Sequence, residues 1–286
     1  MPWLAECSIP LIQKQVHLSR DRLPDTPQNP PPLPIGKPQP SRHQVAPVWK
    51  SLAHHPRQST PRAIKPDKTP VTNGDLEVDR ILTEKIKEIT PNLPIISEET
   101  IDLQIKNKEK TFWLIDPIDG TRDYIKKRDE YTLNAALIID LKPALGIVYA
   151  PSKKRLFYSY GQDQAYEIHD ETKKKLNCKK VNTNKIIALI NSDKTPDEVL
   201  NIYKKYKVSK KIKMSSSLKF CILAAGEADI YAANARAFEW DIAAGHAILD
   251  HAGGSITTHD EKIFSYGKVN YKNLPIIAKR SDKLDQ

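Results

Sequence analysis

Hydrophobic and polar positions along this chain change their period near residue 182, and the elements they predict change with them. "DLEVDRILTEKIKEI" places Val78, Leu82, Ile86 and Ile89 at near-helical spacing and predicts an amphipathic helix over residues 75–90. Asp75 stands at its start, where a carboxylate suits both the free N–H groups and the dipole. "LPIISEE" reads as a short strand running into two acids, and "TFWLID" as another strand. "YTLNAALIID" and "ALGIVYAP" are successive strands joined by the turn-prone "DLKP". "RLFYSY" and "QAYEIHD" extend the pattern into an antiparallel meander. Past residue 182 "KIIALINS" predicts a strand, "PDEVLNIYKKY" and "SSLKFCILAAG" helices, "ADIYAA" a strand, and "WDIAAGHAILDHAGG" a helix closed by glycines, with short strands after it. The expectation is an α+β sub-domain with an antiparallel sheet over 65–182 and an α/β sub-domain over 183–286, packed with helices between sheets.

Residues 1–64 obey neither period. They contain "PDTPQNPPPLPIGKPQPSRHQ", and proline fixes φ and removes donors, so the segment is expected to be disordered or polyproline-like. An SH3-type ligand in "PPPLP" and a misassigned start are alternatives that its style leaves open.

Composition narrows the class further. The chain of 286 residues carries a formal charge of +10, but its lysines gather in short clusters such as 173–175 and 210–211, which read as solvated faces, so no nucleic-acid partner is expected. No apolar run approaches the roughly 20 residues of a bilayer span, and the N-terminus lacks the order of a secretory signal. Cys7, Cys178 and Cys221 are far apart, which fits free thiols in a reducing compartment, with Cys221 expected to be buried. Together with the Lys- and Ile-rich style, this points to a bacterial cytoplasmic protein.

Five acids sit where predicted elements begin or end: Asp75, Glu98, Asp116, Asp119 and Asp241. Each alone reads more readily as a cap or a turn residue. The run Asp116-Pro-Ile-Asp119-Gly120-Thr121 is harder to dismiss. Oxygen ligands without a His or Cys cluster favour a hard cation, Mg²⁺ before Zn²⁺. Two such ions roughly 4 Å apart could share Asp116 and activate a water against a phosphate, with the Gly120 and Thr121 amides facing the phosphate oxygens. His246 and His251 read as packing or surface residues, and Trp240 as a core residue that positions Asp241.

"DPIDGTRDYI" and "EWDIAAGHAILDHAGG" resemble the two signatures of the inositol monophosphatase superfamily of Mg²⁺-dependent, lithium-sensitive phosphatases. "DKTPVTNGD", "PIISEE", "LNAALI", "GIVYAP" and "SSLKFCILAAGEADIY" are most similar to its CysQ-type 3'(2'),5'-bisphosphate nucleotidase branch, so the resemblance covers residues 65 to about 280. It implies a layered α-β-α-β-α sugar-phosphatase fold, two or three Mg²⁺ ions, and release of the 3'-phosphate of adenosine 3',5'-bisphosphate to give AMP. By the same resemblance Glu98, Asp116 and the Ile118 carbonyl hold one ion, and Asp116, Asp119 and Asp241 a second. Thr121 and Glu98 orient the attacking water, Asp75 supports Thr121, and Asp67 helps to position that water. Gly120, Thr121, Ser216, Lys219 and Asp241 fall where substrate is expected; for Ser216 and Lys219 the alternative is a helix start and a surface lysine. The implied partner is a small phosphate ester, either a nucleotide bisphosphate or an inositol or sugar phosphate, and dimers are common in the superfamily.

The chain departs from the pattern in three places. Ala232-Ala233 stand where the nucleotidases carry Pro-Arg, whose Arg meets the substrate's second phosphate, and Arg236 lies nearby. Ala237-Phe238 replace Thr-Met. The long helix that precedes "DKTPVT" in the family has no counterpart in residues 1–64, which implies exposed apolar surface. These departures leave the metal chemistry intact and bear on specificity, with a sugar-phosphate monoesterase or a decayed, non-catalytic scaffold as alternatives.

Overall fold

The computed structural model describes residues 61–64, 70–103, 108–180 and 184–285. A short pair, β1 (Pro61–Ile64) and β2 (Pro70–Thr72), runs antiparallel and leads into helix α1 (Asn73–Ile89). Residues 61–64, read from sequence as the end of the proline-rich segment, are thus a paired strand. The expectations for residues 1–60, the family's leading helix among them, lie outside the described residues.

The first large sheet is built from the strand-like runs that precede residue 182. β3 (Ile95–Ser97) pairs in parallel with β4 (Phe112–Asp119), and antiparallel partners follow in sequence order. These are β5 (Thr132–Ile139), β6 (Lys142–Ala150), β7 (Arg155–Ser159), β8 (Ala165–His169) and β9 (Thr172–Lys175). The turn expected at "DLKP" is a two-residue hairpin, with Asp140 and Leu141 at φ 49° and 62°, the conformation that matches strand twist.

The second sheet has the order β11-β10-β12-β14-β13, from β10 (Ile186–Ile190), β11 (Val208–Lys213), β12 (Ile230–Ala233), β13 (Ser255–Thr258) and β14 (Ile276–Lys279). β10 is parallel to both β11 and β12, while β14 runs antiparallel to its neighbours. Helix α3 (Asp197–Lys205) packs Val199 and Tyr203 on one face of this sheet, with Ile186, Ala188, Ile190 and Ile230.

Between the sheets lie α4 (Leu218–Ala224) and α5 (Trp240–His251). α5 is apolar nearly all round because both sides meet protein, which is the signature of a buried helix. Its approach to the first sheet is close enough to demand glycine: a Cβ on Gly146 of β6 would stand 2.2 Å from the Ala244 carbonyl oxygen. The main core fills this middle layer, with Phe112, Leu114, Phe157, Leu218, Leu223 and Ile248 among its residues. With α1 against β4 on the outer side of the first sheet, the layers read α-β-α-β-α, as expected.

Two strands that the sequence reading passes over lie at sheet edges. β9 and β11 hold the lysine clusters read as solvated faces; these lysines are exposed, yet they belong to strands at sheet edges. Charged edges resist pairing with other chains, and the charges hide the apolar alternation. His246 and His251 are buried packing residues: His246 Nδ1 lies 2.9 Å from Tyr266 Oη and His251 Nδ1 2.9 Å from Ser159 Oγ.

Candidate metal centre and substrate cleft

β4 ends in a fault. Asp116 pairs with Asn134 of β5, but Asp119 pairs with Thr132, so one extra residue is bulged out between the two acids. Such a bulge breaks the alternation and re-aims side chains. It is followed by Gly120 at φ 93° and the short helix α2 (Thr121–Ile125). A Cβ on Gly120 would add strain at that φ and approach the Glu130 carbonyl to 3.0 Å.

Three carboxylates converge there. Ligand oxygens of Glu98, Asp116 and Asp241 all lie within 4.8 Å of one another. Glu98 follows β3, its backbone N–H donating to the Ile115 carbonyl at 3.1 Å. Asp241 sits in the first turn of α5, where its Oδ2 accepts from the Phe238 N–H at 2.7 Å. That turn is fixed from below by buried Glu239, which accepts from the Gly267 and Lys268 N–H groups at 2.9 Å each. Trp240, stacked on Phe238 with centroids 4.7 Å apart, is buried as expected.

Asp116 is the informative member. It is 1% exposed, and neither of its oxygens has a hydrogen-bond partner among the described residues. Burial drives its pKa well up, and the charges of Glu98, Asp119 and Asp241 push it further. Asp241 is raised for the same reasons, and burial lifts Asp119 to about 6 against the opposing pull of Lys219. A buried carboxylate without donors, facing other carboxylates, is costly unless a cation satisfies it. The all-oxygen donor set suits a hard divalent ion.

Asp119, beside this trio, accepts a hydrogen bond from the Ser217 backbone N–H. Ser217 Oγ in turn donates to Asn134 Oδ1 at 2.6 Å, tying the start of α4 to β5. The sequence reading singled out Ser216, which takes the strained φ of 56°, and missed Ser217, whose backbone N–H reaches Asp119 directly. Lys219 is no surface lysine: it is buried, its Nζ donates to the Ser216 carbonyl at 2.5 Å, and burial lowers its pKa to about 8.

Thr121 Oγ1 lies 3.2 Å from Asp75 Oδ1 and 3.0 Å from the Ile118 carbonyl, so the threonine, its supporting acid and the carbonyl do meet. Asp75 stands in the first turn of α1, as expected, but not at the N-cap itself. Thr72 caps α1, and Asp75, three residues on, returns the bond to the Thr72 N–H at 2.7 Å. Thr-x-x-Asp before an apolar stripe is a capping box, a signal available in the sequence. Asp67 lies outside the described residues.

All of this opens on a cleft of about 750 Å³ lined at one end by Glu98, Asp116, Asp119 and Asp241. Its far wall comes from the second sheet, through Asn191, Lys194, Tyr231 and Arg236.

The profile of the inositol monophosphatase family matches residues 43–285. The chain belongs to that family. The 3'(2'),5'-bisphosphate nucleotidase CysQ of Buchnera aphidicola is 38% identical over 209 residues, spanning 72% of this chain and 76% of that protein. The CysQ of Salmonella typhimurium is 33% identical, over 71% and 82% respectively. The crystal structure of CysQ from Bacteroides thetaiotaomicron matches with a TM-score of 0.64 at 30% identity, covering 80% of this chain and 90% of that one. A Staphylococcus aureus inositol monophosphatase bound to 2'AMP shares the fold at TM-score 0.63 and 23% identity. The layered fold described above is therefore the family's fold, and the acid cluster sits in a family that is Mg²⁺-dependent in general.

Proposed function

We propose that this protein is a Mg²⁺-dependent phosphoric monoester hydrolase that converts adenosine 3',5'-bisphosphate to AMP and inorganic phosphate. The observation that carries the chemistry is Asp116, buried and without a donor between Glu98 and Asp241. The nucleotide assignment draws on relatives named 3'(2'),5'-bisphosphate nucleotidase at 30–38% identity over about 70% of the chain.

In this reading Glu98, Asp116 and the Ile118 carbonyl would hold one ion and Asp116, Asp119 and Asp241 a second, in a total of two or three. Bound Mg²⁺ supplies charge neutralisation at the phosphoryl oxygens and a more acidic water. The protein's own groups do the rest. Thr121, supported by Asp75, and Glu98 orient the water for in-line attack, with Asp67 assisting. The water oxygen bonds to phosphorus, the P–O3' bond breaks, and the proton that the water gives up passes to the leaving oxygen. The Gly120 and Thr121 amides meet the phosphate with donors that do not titrate. Ser216 and Lys219 line the substrate side, and buried Lys219 keeps positive charge beside Asp119.

The division at residue 182 into two sub-domains, a cytoplasmic site of action and a homodimer complete the proposal. Among the described residues no helix is long and apolar enough to cross a membrane. A second reading, an inositol- or sugar-phosphate monoesterase, is favoured by Ala232 and Ala233, which bring no cation to the cleft.

The test is phosphate release from adenosine 3',5'-bisphosphate and from inositol 1-phosphate, each with Mg²⁺ and with EDTA. Mg²⁺-dependent release from the nucleotide, faster than from the inositol ester, is expected. The reverse order selects the second reading, and no Mg²⁺-dependent release from either refutes the enzyme.

A further inference from the structure

Polar residues recur at every second position where β5 begins: Glu130, Thr132 and Asn134. Alternate positions of a strand share one face, and here that face meets a turn of three serines, Ser215 to Ser217, ahead of α4. Glu130 Oε2 accepts from the Ser215 N–H at 2.9 Å. Thr132 Oγ1 lies 2.9 Å from Ser217 Oγ, and Asn134 Oδ1 accepts from the same hydroxyl at 2.6 Å. Thr132 and Asn134 are buried, so this row is a built contact and not a solvated edge. Glu130 also backs the corner after β4, its carbonyl 3.0 Å from where a Cβ on Gly120 would stand.

The turn needs that support. Ser216 sits in the left-handed region at φ 56°, where a residue other than glycine persists only if its surroundings over-determine it. The N–H groups on either side of it are both held by carboxylates, Ser215 by Glu130 and Ser217 by Asp119. Its carbonyl and that of Met214 accept from the Lys219 amine, at 2.5 and 3.5 Å. Burial lowers the Lys219 pKa, and the charges of Asp119, Glu130 and Asp241 oppose it, so the amine lies within range of the acid cluster. Two things thus depend on the shape of one turn. One is the donor that reaches Asp119, and the other is the tether that keeps a buried cation off the carboxylates.

We propose that Glu130 is a positioning residue for the metal centre, holding the serine turn so that the Ser217 N–H aims Asp119. This role rests on the reading of Asp119 as a ligand of the second ion. Glu130 itself touches neither ion nor substrate in that reading. Its carboxylate fixes Ser215, which holds Ser216 in its strained form, and Ser216 sets the direction of the Ser217 N–H. With the acceptor removed, the Ser215 end of the turn is loose while Thr132 and Asn134 still anchor the Ser217 side chain. Ser216 then relaxes, and the Ser217 N–H swings off Asp119. The freed carboxylate oxygen meets the Lys219 amine, which the Ser216 carbonyl no longer tethers. An ammonium seated there competes with a divalent ion for the same oxygens.

The test compares wild type, Glu130→Ala and Glu130→Gln as full chains. Both substitutions remove the same charge, and only glutamine keeps an oxygen for the Ser215 N–H. Mg²⁺ is titrated by calorimetry without substrate, and amide hydrogen exchange at Ser217 is followed in EDTA. Glu130→Ala should weaken Mg²⁺ binding by about three- to tenfold, less than the roughly 10- to 100-fold lost with a partner that touches a ligand directly. Exchange at Ser217 should quicken in the same variant, and Glu130→Gln should recover most of both. In turnover the loss should read as a higher Mg²⁺ requirement, with kcat nearly restored at saturating Mg²⁺. Unchanged Mg²⁺ affinity in Glu130→Ala overturns the proposal, as does a Glu130→Gln that binds as weakly as Glu130→Ala. A wild type that binds no Mg²⁺ overturns the metal reading instead; unchanged Ser217 exchange in Glu130→Ala would then still overturn the grip on the turn.

Discussion

Replacing Asp116 by Asn should make the metal-free protein more stable while removing its response to Mg²⁺. At neutral pH the wild-type carboxylate is buried, has no donor and faces Glu98, Asp119 and Asp241. Leaving such a charge unpaired costs about 3–5 kcal/mol in buried pairs stripped of one partner. An Asn amide carries no charge and can donate to Glu98 or Asp241. Allowing for partial protonation of the raised Asp116, we expect a gain of about 2–3 kcal/mol in EDTA at pH 8. In a chain of this size that is a rise of roughly 4–10 °C in Tm. The sign with pH follows from the raised pKa. Below the unfolded value both states hold the proton and no penalty exists; the penalty grows as pH rises toward the folded value. The advantage of Asn should therefore shrink between pH 8 and pH 5. Magnesium at about 100 times its Kd should stabilise wild type by about 2.7 kcal/mol and the variant far less, so the lead of the variant is largely cancelled. Scanning calorimetry of both proteins in EDTA and in Mg²⁺, at both pH values, reads all of this. A lower Tm for Asp116→Asn in EDTA, or equal stabilisation of both by Mg²⁺, would refute the assignment of Asp116 as the shared ligand.

Two further outcomes follow from the packing. Gly146→Ala places a methyl carbon against the Ala244 carbonyl, so α5 must shift; urea unfolding should show a loss of about 2–4 kcal/mol, and a change below about 0.5 kcal/mol would mean the layers are looser than described. Burial lowers His246 to about 3 and His251 to about 4, so both stay neutral in the fold while the unfolded chain protonates near 6.5. Stability from each is thus full above pH 6.5 and lost as pH falls toward those values, by up to about 2 kcal/mol per histidine at pH 5. The acid cluster works in the opposite sense. The test accordingly compares wild type with His251→Gln, in which that contribution cancels, and a pH-independent difference between pH 7 and pH 5 would count against it.

The elements best announced by the sequence are those whose two faces meet different surroundings. α1 carries a stripe and β8 alternates because one side packs and the other does not, whereas β4 and β5, buried on both faces, read as nearly continuous apolar runs. α5 was readable for the opposite reason, being apolar throughout and closed by Gly253 at φ 99°. β9 and β11 were not, since their exposed lysines obey the demands of an edge rather than of a core. The same division holds at the site. The acids at element ends were visible as a pattern, because oxygen ligands must be carried by particular side chains. The burial of Lys219, the grip of Ser217 on Asp119 and the cap role of Thr72 depend on which loops meet, and no local period encodes that.

The extra residue between Asp116 and Asp119 sets folding and chemistry at odds within a single strand. Deleting one residue there would restore an unbroken ladder to β5 and give the sheet a more regular partner. It would also turn Asp119 and the Gly120 corner onto the wrong face. A three-nucleotide deletion could thus yield a protein that assembles at least as readily and hydrolyses nothing. Screens that report only soluble expression would pass such a chain, so any survey of variants across this segment has to score turnover beside yield.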